Sequence, residues 1–356
     1  MPQSKFKPRD LGIIFDSYST ATTKELTQIR RGTVGRRIHI TSSEQSMPRA
    51  KDWNMFPRNS ENKTELIRFL VNYYKSDSVR SKLRLPLTVT EEDKTWLLTN
   101  TNVEQLDHCN HTEADTRLVL HASRCKNPVI IRATDTDIMI LLCYAYSTCK
   151  PPHDWLMKID HRYISISKVT DQFGDQICQI LPAYHSITGC DTTSYPYGIG
   201  KIKPIKNMLQ HNKSHLLSEL GRSVDSVLDI SKAKHFFRTC MYPGLEQESF
   251  VETRIRMYCK KKVKSSMSIL PDKNSTNEHI KRSDLQAFIW YQCLKAVIEY
   301  PDITDRGWQR KEAGIQPVWF TYPQLPPSLS KKKSLKRHKH CKSPTKIHIV
   351  LNYGIF

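Results

Sequence analysis

The chain has 356 residues, of which 38% are hydrophobic, so it is long and apolar enough for one large folded domain or two ordinary ones. Its 55 Lys and Arg residues exceed its 35 Asp and Glu residues, and the resulting formal charge of +20 favours a polyanionic partner. No apolar run reaches the ~20 residues of a membrane helix, and the N-terminal sequence has no hydrophobic signal core, so neither a membrane partner nor secretion is predicted.

Part of the positive charge lies near the C-terminus. Residues 331–346 carry eight Lys or Arg and no acid, and +20 less these eight leaves +12 on the rest of the chain. We expect residues 327–356 to form a basic disordered tail. Together with the KKKVK string at 260–264, this tail predicts nuclear localisation, with the cytoplasm as the alternative. The ten cysteines are widely spaced without a C-x-x-C pair, which favours reduced thiols.

The first half of the chain alternates strand-like and helical patterns. The apolar run LGIIF at 11–15 predicts a buried strand that ends at Asp16, and the polar, basic stretch 17–60 predicts an arch-like insertion that meets phosphates. A helix is then expected at 65–74, followed by a hairpin of strands at 87–90 and 95–99 and a helix at 113–123. The strand VIIRA at 129–133 is followed by the apolar run IMILLCYAY, and a strand at 163–166 and a helix at 169–180 complete this half. This alternation indicates an α/β layered domain.

The second half is mainly helical by pattern. Helices are expected at 202–220, 233–242 and 283–299, with an extended segment from Tyr300 onward. The organisation predicted from these patterns is a domain over 11–210, a helical extension over 211–326 and the basic tail.

Acidic residues recur where predicted strands end or predicted helices begin. They are Asp16, Glu113, Asp115, Asp135, Asp137 and Asp191. Carboxylates set against apolar elements need a counter-charge, and a divalent metal is the simplest one. Two Mg²⁺ or Mn²⁺ ions held by such oxygen ligands can cleave a phosphodiester. The sequence therefore predicts a two-metal phosphodiesterase site in this region.

Two features of this region have competing interpretations. Glu113 and Asp115 open a helix, where acids also stabilise the helix dipole without binding a metal. His185 lies among apolar residues, and this setting favours a hydrogen-bonded core histidine over a catalytic base.

The string GIGK at 198–201 precedes a helical stretch, so its backbone N–H groups could bind a phosphate.

The ordered series of strings resembles the flap endonuclease and XPG group of nucleases in the PIN-like superfamily. The matching strings are TEAD at 112–115, DTD at 135–137, GCD at 189–191 and GIGK at 198–201. They are closer still to a set of uncharacterised animal proteins of mobile-element origin. The resemblance covers residues 11 to about 210 and implies a three-layer α/β fold with a mainly parallel central sheet.

The resemblance also implies roles for individual residues. The acids Asp16, Glu113, Asp115, Asp135, Asp137 and Asp191 would be metal ligands and would act in catalysis. The nucleic acid would be bound by Arg30, Arg31, Arg36 and Arg37 in the arch and by Gly198, Gly200 and Lys201 in the turn.

One departure from the family pattern leaves two functions open. Those nucleases begin with a central strand that ends in a further Asp, and the residues before Leu11 supply neither. The first expectation is a metal-dependent nuclease that acts on DNA rather than RNA and recognises the shape of its substrate. The alternative is a nucleic-acid-binding or transposon-accessory protein that keeps the scaffold without its chemistry.

Overall fold

The computed structural model describes residues 7–18, 37–40, 53, 55–223, 230–242, 247–259, 268–311 and 314–319. The described strands are β1 (Leu11–Ile13), β2 (Leu87–Glu91), β3 (Lys94–Leu98), β4 (Val103–Gln105), β5 (Val129–Arg132), β6 (Trp155–Ile159), β7 (Arg162–Ser165), β8 (Trp308–Lys311) and β9 (Gly314–Pro317). The described α-helices are α1 (Ser60–Lys75), α2 (Asp77–Arg80), α3 (Ala114–Arg124), α4 (Thr136–Cys149), α5 (Ile166–Phe173), α6 (Asp175–Cys178), α7 (Leu181–Thr188), α8 (Ile202–Gln210), α9 (Ile230–Phe236), α10 (Phe250–Cys259) and α11 (Lys273–Tyr291). Short 3₁₀-helices lie at Phe56–Arg58 and Ser214–Leu217, and a π-helical turn at Phe237–Met241. The protein is thus a mixed α/β structure, as the alternating patterns predict.

The strands form mixed sheets rather than one central sheet. The first sheet has the order β1-β2-β3-β4, the second β5-β6-β7, and β8 pairs with β9. Only the β1–β2 and β5–β6 pairs are parallel among the described strands, so the expectation of a mainly parallel sheet is wrong. The reason is local, because short turns join β2 to β3 and β6 to β7, and tight turns force antiparallel neighbours. Glu92 and Asp160 adopt positive φ in these turns.

The strand predicted from LGIIF lies at an edge. Residues Leu11 to Ile13 pair only with β2 among the described strands, and Leu11 is 51% exposed. The prediction of a buried strand is therefore wrong in burial, although the strand itself is present. Its C-terminal end still leads directly to Asp16.

Capping side chains explain where two helices begin. α1 begins at Ser60, earlier than its apolar pattern suggests, because Asn59 accepts hydrogen bonds from the backbone N–H groups of Glu61 and Asn62. α11 begins at Lys273 rather than Ser283, because Asp272 caps it in the same way. It ends at Tyr291, so the predicted helical turns up to residue 299 are absent.

The main hydrophobic core is shared by the two predicted regions of the chain. It joins α4, α7, α9 and α11 through buried side chains such as Leu141, Ile187, Phe236 and Trp290. α1 and the first sheet enclose a smaller core. The helical extension after residue 210 therefore packs into the core of the preceding domain, and α11 reaches the candidate site.

Two further expectations concern the chain as a whole. None of the described helices combines the length and apolarity needed to cross a lipid bilayer. All the described cysteines are free thiols, in agreement with their spacing.

Most of the predicted arch and the whole predicted tail lie outside the described residues.

Candidate functional site

The first part of the site lies where β1 ends and α3 begins. Oδ1 of Asp16 accepts a hydrogen bond of 2.7 Å from the backbone N–H of Ala114, and Oδ2 accepts one of 3.0 Å from the hydroxyl of Tyr18. Glu113 occupies the N-cap position, and Asp115 lies in the first turn. Three carboxylates are thus placed at one helix N-terminus, where the dipole stabilises negative charge.

Glu113 connects α3 to α11. Its two carboxylate oxygens accept hydrogen bonds from Nε2 of Gln286 at 3.4 Å and from Nε1 of Trp290 at 3.2 Å. Oε1 of Gln286 in turn accepts a hydrogen bond of 2.7 Å from the hydroxyl of Thr192, the residue after Asp191. α11 therefore joins the start of α3 to the segment that carries Asp191.

The second part of the site lies at the N-terminus of α4. Asp135 is the N-cap, and its Oδ1 accepts a hydrogen bond of 3.0 Å from the backbone N–H of Asp137. Oδ1 of Asp137 lies 2.6 Å from Nε2 of His185 on α7. The T-D-T-D string therefore forms the N-terminus of a helix, because Asp135 accepts a hydrogen bond from a backbone N–H that has no partner within the helix.

His185 lies between the carboxylate of Asp137 and the ammonium of Lys201. Nζ of Lys201 is 2.8 Å from Nδ1 of His185 and equally close to Nε2. A lysine ammonium can only donate, so Nδ1 accepts from Lys201 and Nε2 donates to Asp137. Burial lowers the pKa of His185, which keeps the ring in the neutral form that this arrangement requires. The ring centroid of Trp290 lies 5.7 Å from that of His185, which links the two parts of the site.

Lys201 is a positive charge in the second part of the site. Burial lowers the pKa of its ammonium to about 8, while Cys190, Asp137, Asp135 and Asp191 act in the opposite direction. The ammonium is therefore still mostly protonated at neutral pH. Asp135, Asp137 and Asp191 thus act on one cation although they come from two separate parts of the sequence.

The turn predicted from GIGK is present and exposed. The backbone N–H of Ile199 donates to the carbonyl of Pro196 at 3.1 Å, and Gly198 adopts a φ of 71° that favours glycine. Gly198 and Gly200 are exposed, whereas the side chain of Lys201 is directed at His185. A phosphate could thus approach the glycine backbone, but the ammonium of Lys201 faces the acids.

The arginines predicted to contact phosphate are described only in part. Arg30, Arg31 and Arg36 lie outside the described residues. Arg37 forms ion pairs with Glu61 at 2.8 Å and Glu65 at 2.6 Å, both on α1. Its guanidinium is therefore engaged by carboxylates of a neighbouring helix.

The candidate ligands suit Mg²⁺ or Mn²⁺ in chemistry but not in their present arrangement. All of them are carboxylates, the hard oxygen donors that these ions prefer. In the part of the chain that the structure describes, however, no three His, Cys, Asp or Glu side chains are grouped so that they could hold one metal ion. The oxygens of Glu113 and one oxygen of Asp137 accept hydrogen bonds instead. The ammonium of Lys201 contacts His185, the hydrogen-bond partner of Asp137.

Three residues of the site are not among those predicted from the sequence. Gln286 and Trp290 lie far along the chain in α11, and no local motif marks them. His185 is a buried, hydrogen-bonded histidine as expected, yet its partner is a candidate metal ligand. The sequence signal that could have linked His185 to the site is its position four residues before the GCD string, in the last turn of a buried helix.

Comparison of the chain with known protein families, with curated proteins and with solved structures found no match.

Proposed function

We propose that the chain is a divalent-metal-dependent phosphodiesterase that cleaves nucleic acid, DNA rather than RNA, through a PIN-like domain of the flap endonuclease and XPG type. The supporting observation is that acids from three separate parts of the sequence lie at the N-termini of α3 and α4, and that Gln286 joins Glu113 to Thr192, the residue after Asp191. Five of the six acids are half-buried and Asp135 is exposed, and like charges gathered at one site repel one another unless a cation lies between them.

The proposal assigns roles to the residues of the site. Asp135, Asp137 and Asp191 would hold one Mg²⁺ or Mn²⁺ ion, and Asp16, Glu113 and Asp115 would hold the second. When bound, the ions would activate water and stabilise the attacking and leaving oxygens. His185 would fix the orientation of Asp137 through the bond between Nε2 and Oδ1.

Substrate binding would use the surface that follows the GIGK turn. Lys203 and Lys206 are exposed on α8, directly after the exposed glycines. These side chains would contact backbone phosphates, in keeping with the overall charge of +20.

The test is cleavage of branched or flapped DNA in Mg²⁺ or Mn²⁺ by the purified chain and by Asp135→Asn and Asp191→Asn. Asn retains the N-cap at position 135, so the first variant should fold normally. We expect cleavage to fall about a hundredfold or more in both variants, because each loses a negatively charged ligand. Asp171→Asn, which changes an exposed acid on α5, is the matched control. Equal cleavage by all four proteins would contradict the proposal and indicate a contaminant.

A second function is favoured by the position of Lys201. An acidic cluster that already contains its own counter-cation needs no metal for stability, so the chain would bind nucleic acid without cleaving it. In that case no DNA is cut under any metal condition, binding persists in EDTA, and affinity falls steeply with salt concentration.

A further inference from the structure

Two tyrosine rings lie at the surface beside the turn that precedes α8. Tyr195 is 43% exposed and Tyr197 is 47% exposed. The residue between them, Pro196, is buried, and its carbonyl accepts the hydrogen bond from Ile199 that closes the turn. Both rings are therefore attached to backbone that the turn holds in place.

The exposed face of α8 continues this surface along the chain. Ile202 is 71% exposed and Leu209 is 43% exposed, and Lys203 and Lys206 are exposed as well. Because 3.6 residues make one helical turn, these four side chains lie within about one third of the helix circumference. The buried residues of the helix lie on the opposite side. Single exposed apolar side chains are ordinary, but a contiguous group of them marks a binding surface.

Charge indicates which kind of partner fits this surface. Residues 192–218 contain four lysines and no Asp or Glu. Protein–protein interfaces are depleted in lysine, whereas nucleic acid needs positive charge for its phosphates and offers flat base faces to aromatic rings. A duplex keeps those faces stacked inside, so exposed rings favour a single strand.

Tyr195 connects this surface to the candidate site. Its ring packs against Gly189, two residues before Asp191. The centroid of the same ring lies 5.8 Å from Nζ of Lys201. A base stacked on Tyr195 would therefore lie next to the loop that carries Asp191.

We propose that Tyr195, Tyr197 and the exposed face of α8 bind a single-stranded segment of nucleic acid. Bases stack on the two rings, and backbone phosphates contact Lys203 and Lys206. The inference rests on the proposed function for the class of ligand, nucleic acid, and adds that the segment bound at this surface is single-stranded.

The experiment measures binding of a labelled oligothymidylate, and of a labelled duplex of the same length, to the full chain by fluorescence anisotropy in EDTA. We expect Tyr197→Leu to bind the single strand about tenfold more weakly, the effect of losing one stacked base, and the duplex as the wild type does. Tyr195→Leu/Tyr197→Leu should lose about a hundredfold on the single strand.

Two controls isolate the aromatic ring as the cause. Tyr197→Phe keeps the ring and should bind both ligands like the wild type. Tyr163→Leu removes a tyrosine on β7 that is also 47% exposed, and it should leave binding unchanged. Thermal unfolding shows that each variant is folded, and Tyr197→Leu carries the test alone if the change at Tyr195, which packs against Gly189, destabilises the chain.

The lysines are tested separately because their contacts do not depend on base stacking. Lys203→Gln and Lys206→Gln should each weaken the binding of both ligands. Each should also reduce the slope of log affinity against log salt concentration, by about 0.7 for the single strand.

Three results would overturn the inference. They are a folded Tyr197→Leu protein that binds the single strand as tightly as the wild type, an equal loss on single strand and duplex, and a wild-type chain that binds no single strand. In the last case the apolar face fits a protein partner instead. Cleavage of flapped DNA together with unchanged binding by the tyrosine variants would contradict only this inference. Single-strand binding through the tyrosines without any cleavage would contradict only the proposed function.

Discussion

Trp290 donates its indole N–H to the carboxylate of Glu113 across 3.2 Å, and this bond ties the long helix α11 to the N-cap residue of α3. Trp290 is 2% exposed, so the bond lies in the core rather than at the surface. The helical extension is therefore part of the site's support, since one of its side chains sets the position of a candidate ligand.

Replacing this tryptophan tests the connection. Trp290→Phe keeps an aromatic ring but removes the donor, so we expect the free energy of unfolding to fall by about 2 kcal/mol, as for a lost hydrogen bond to a charged group. The measurement is urea unfolding of Trp290→Phe, Glu113→Ala and the double variant. A coupling energy near zero between the two positions would show that the bond contributes nothing to stability.

Arg117 offers a second test, because its guanidinium is buried and its two terminal nitrogens donate to neighbouring residues. It donates to the carbonyls of Glu92 and Lys94 and to the hydroxyl of Thr95 at 3.0 Å, and so fixes α3 to the β2–β3 hairpin. A lysine cannot reach these acceptors at once, since its donors lie on a single atom. We expect Arg117→Lys to lower the free energy of unfolding by about 3 kcal/mol.

The matched control for this variant is Arg124→Lys, in the exposed last turn of the same helix. It should stay within about 0.5 kcal/mol of the wild type. Urea unfolding measures both variants. If the free energy of unfolding falls equally in both, the buried hydrogen bonds of Arg117 contribute nothing to stability beyond the helix propensity of the residue.

Gly189, directly before Cys190 and Asp191, tests how tightly the acidic loop is built. It adopts a φ of 114°, and a Cβ there would lie 2.6 Å from Cδ1 of Tyr195 and 3.0 Å from its Cα. Gly189→Ala should therefore lower the free energy of unfolding by about 3 kcal/mol, from backbone strain and the clash. Gly200→Ala is the control, because nothing lies within 4 Å of its Cβ position. Similar melting temperatures for the two variants would be contrary to this expectation.

Local elements of the site were predictable because they depend on neighbouring residues. The hairpin of β2 and β3 and the helix that begins after Glu113 follow from alternation, periodicity and capping, and the structure confirms them. The apolar run IMILLCYAY at 138–146 fits a helix and a strand equally well, because it has no polar face. Asp135 decides it, since its side chain caps the first turn.

Long-range features of the site were not predictable in this way. The sequence pattern places Lys201 after two glycines but does not show whether its side chain turns outward to solvent or inward to His185. The contacts of Gln286 and Trp290 with Glu113 join residues more than 170 positions apart, and the apolar stripe that predicts this helix does not show which element its other residues contact. Tertiary packing decides these positions.

Asp284 gives a prediction for pH dependence. This carboxyl group is 3% exposed on α11, and burial raises its pKa from 3.8 to about 6, against the opposing effects of the Gly221 N–H bond and of Arg306. Because the folded state binds the proton more tightly, the contribution of this group to stability is complete below pH 3.8 and is lost as pH rises through about 6. The loss is about 3 kcal/mol for a shift of this size.

Asp284→Asn removes this dependence while it keeps an acceptor for the N–H of Gly221. The free energy of unfolding of the variant, relative to the wild type, should therefore rise by about 2.5 kcal/mol between pH 4 and pH 7.5 and stay constant above that. Asp302→Asn is the control that should change little over this range, because hydrogen bonds from Thr304 lower the pKa of that exposed carboxylate and its pH dependence falls below pH 3.8. Urea unfolding across this pH range measures both differences. The prediction is contradicted if the free-energy difference between Asp284→Asn and the wild type does not change with pH. The carboxyl group would then titrate alike in the folded and unfolded chains, and its burial on α11 would carry no electrostatic cost.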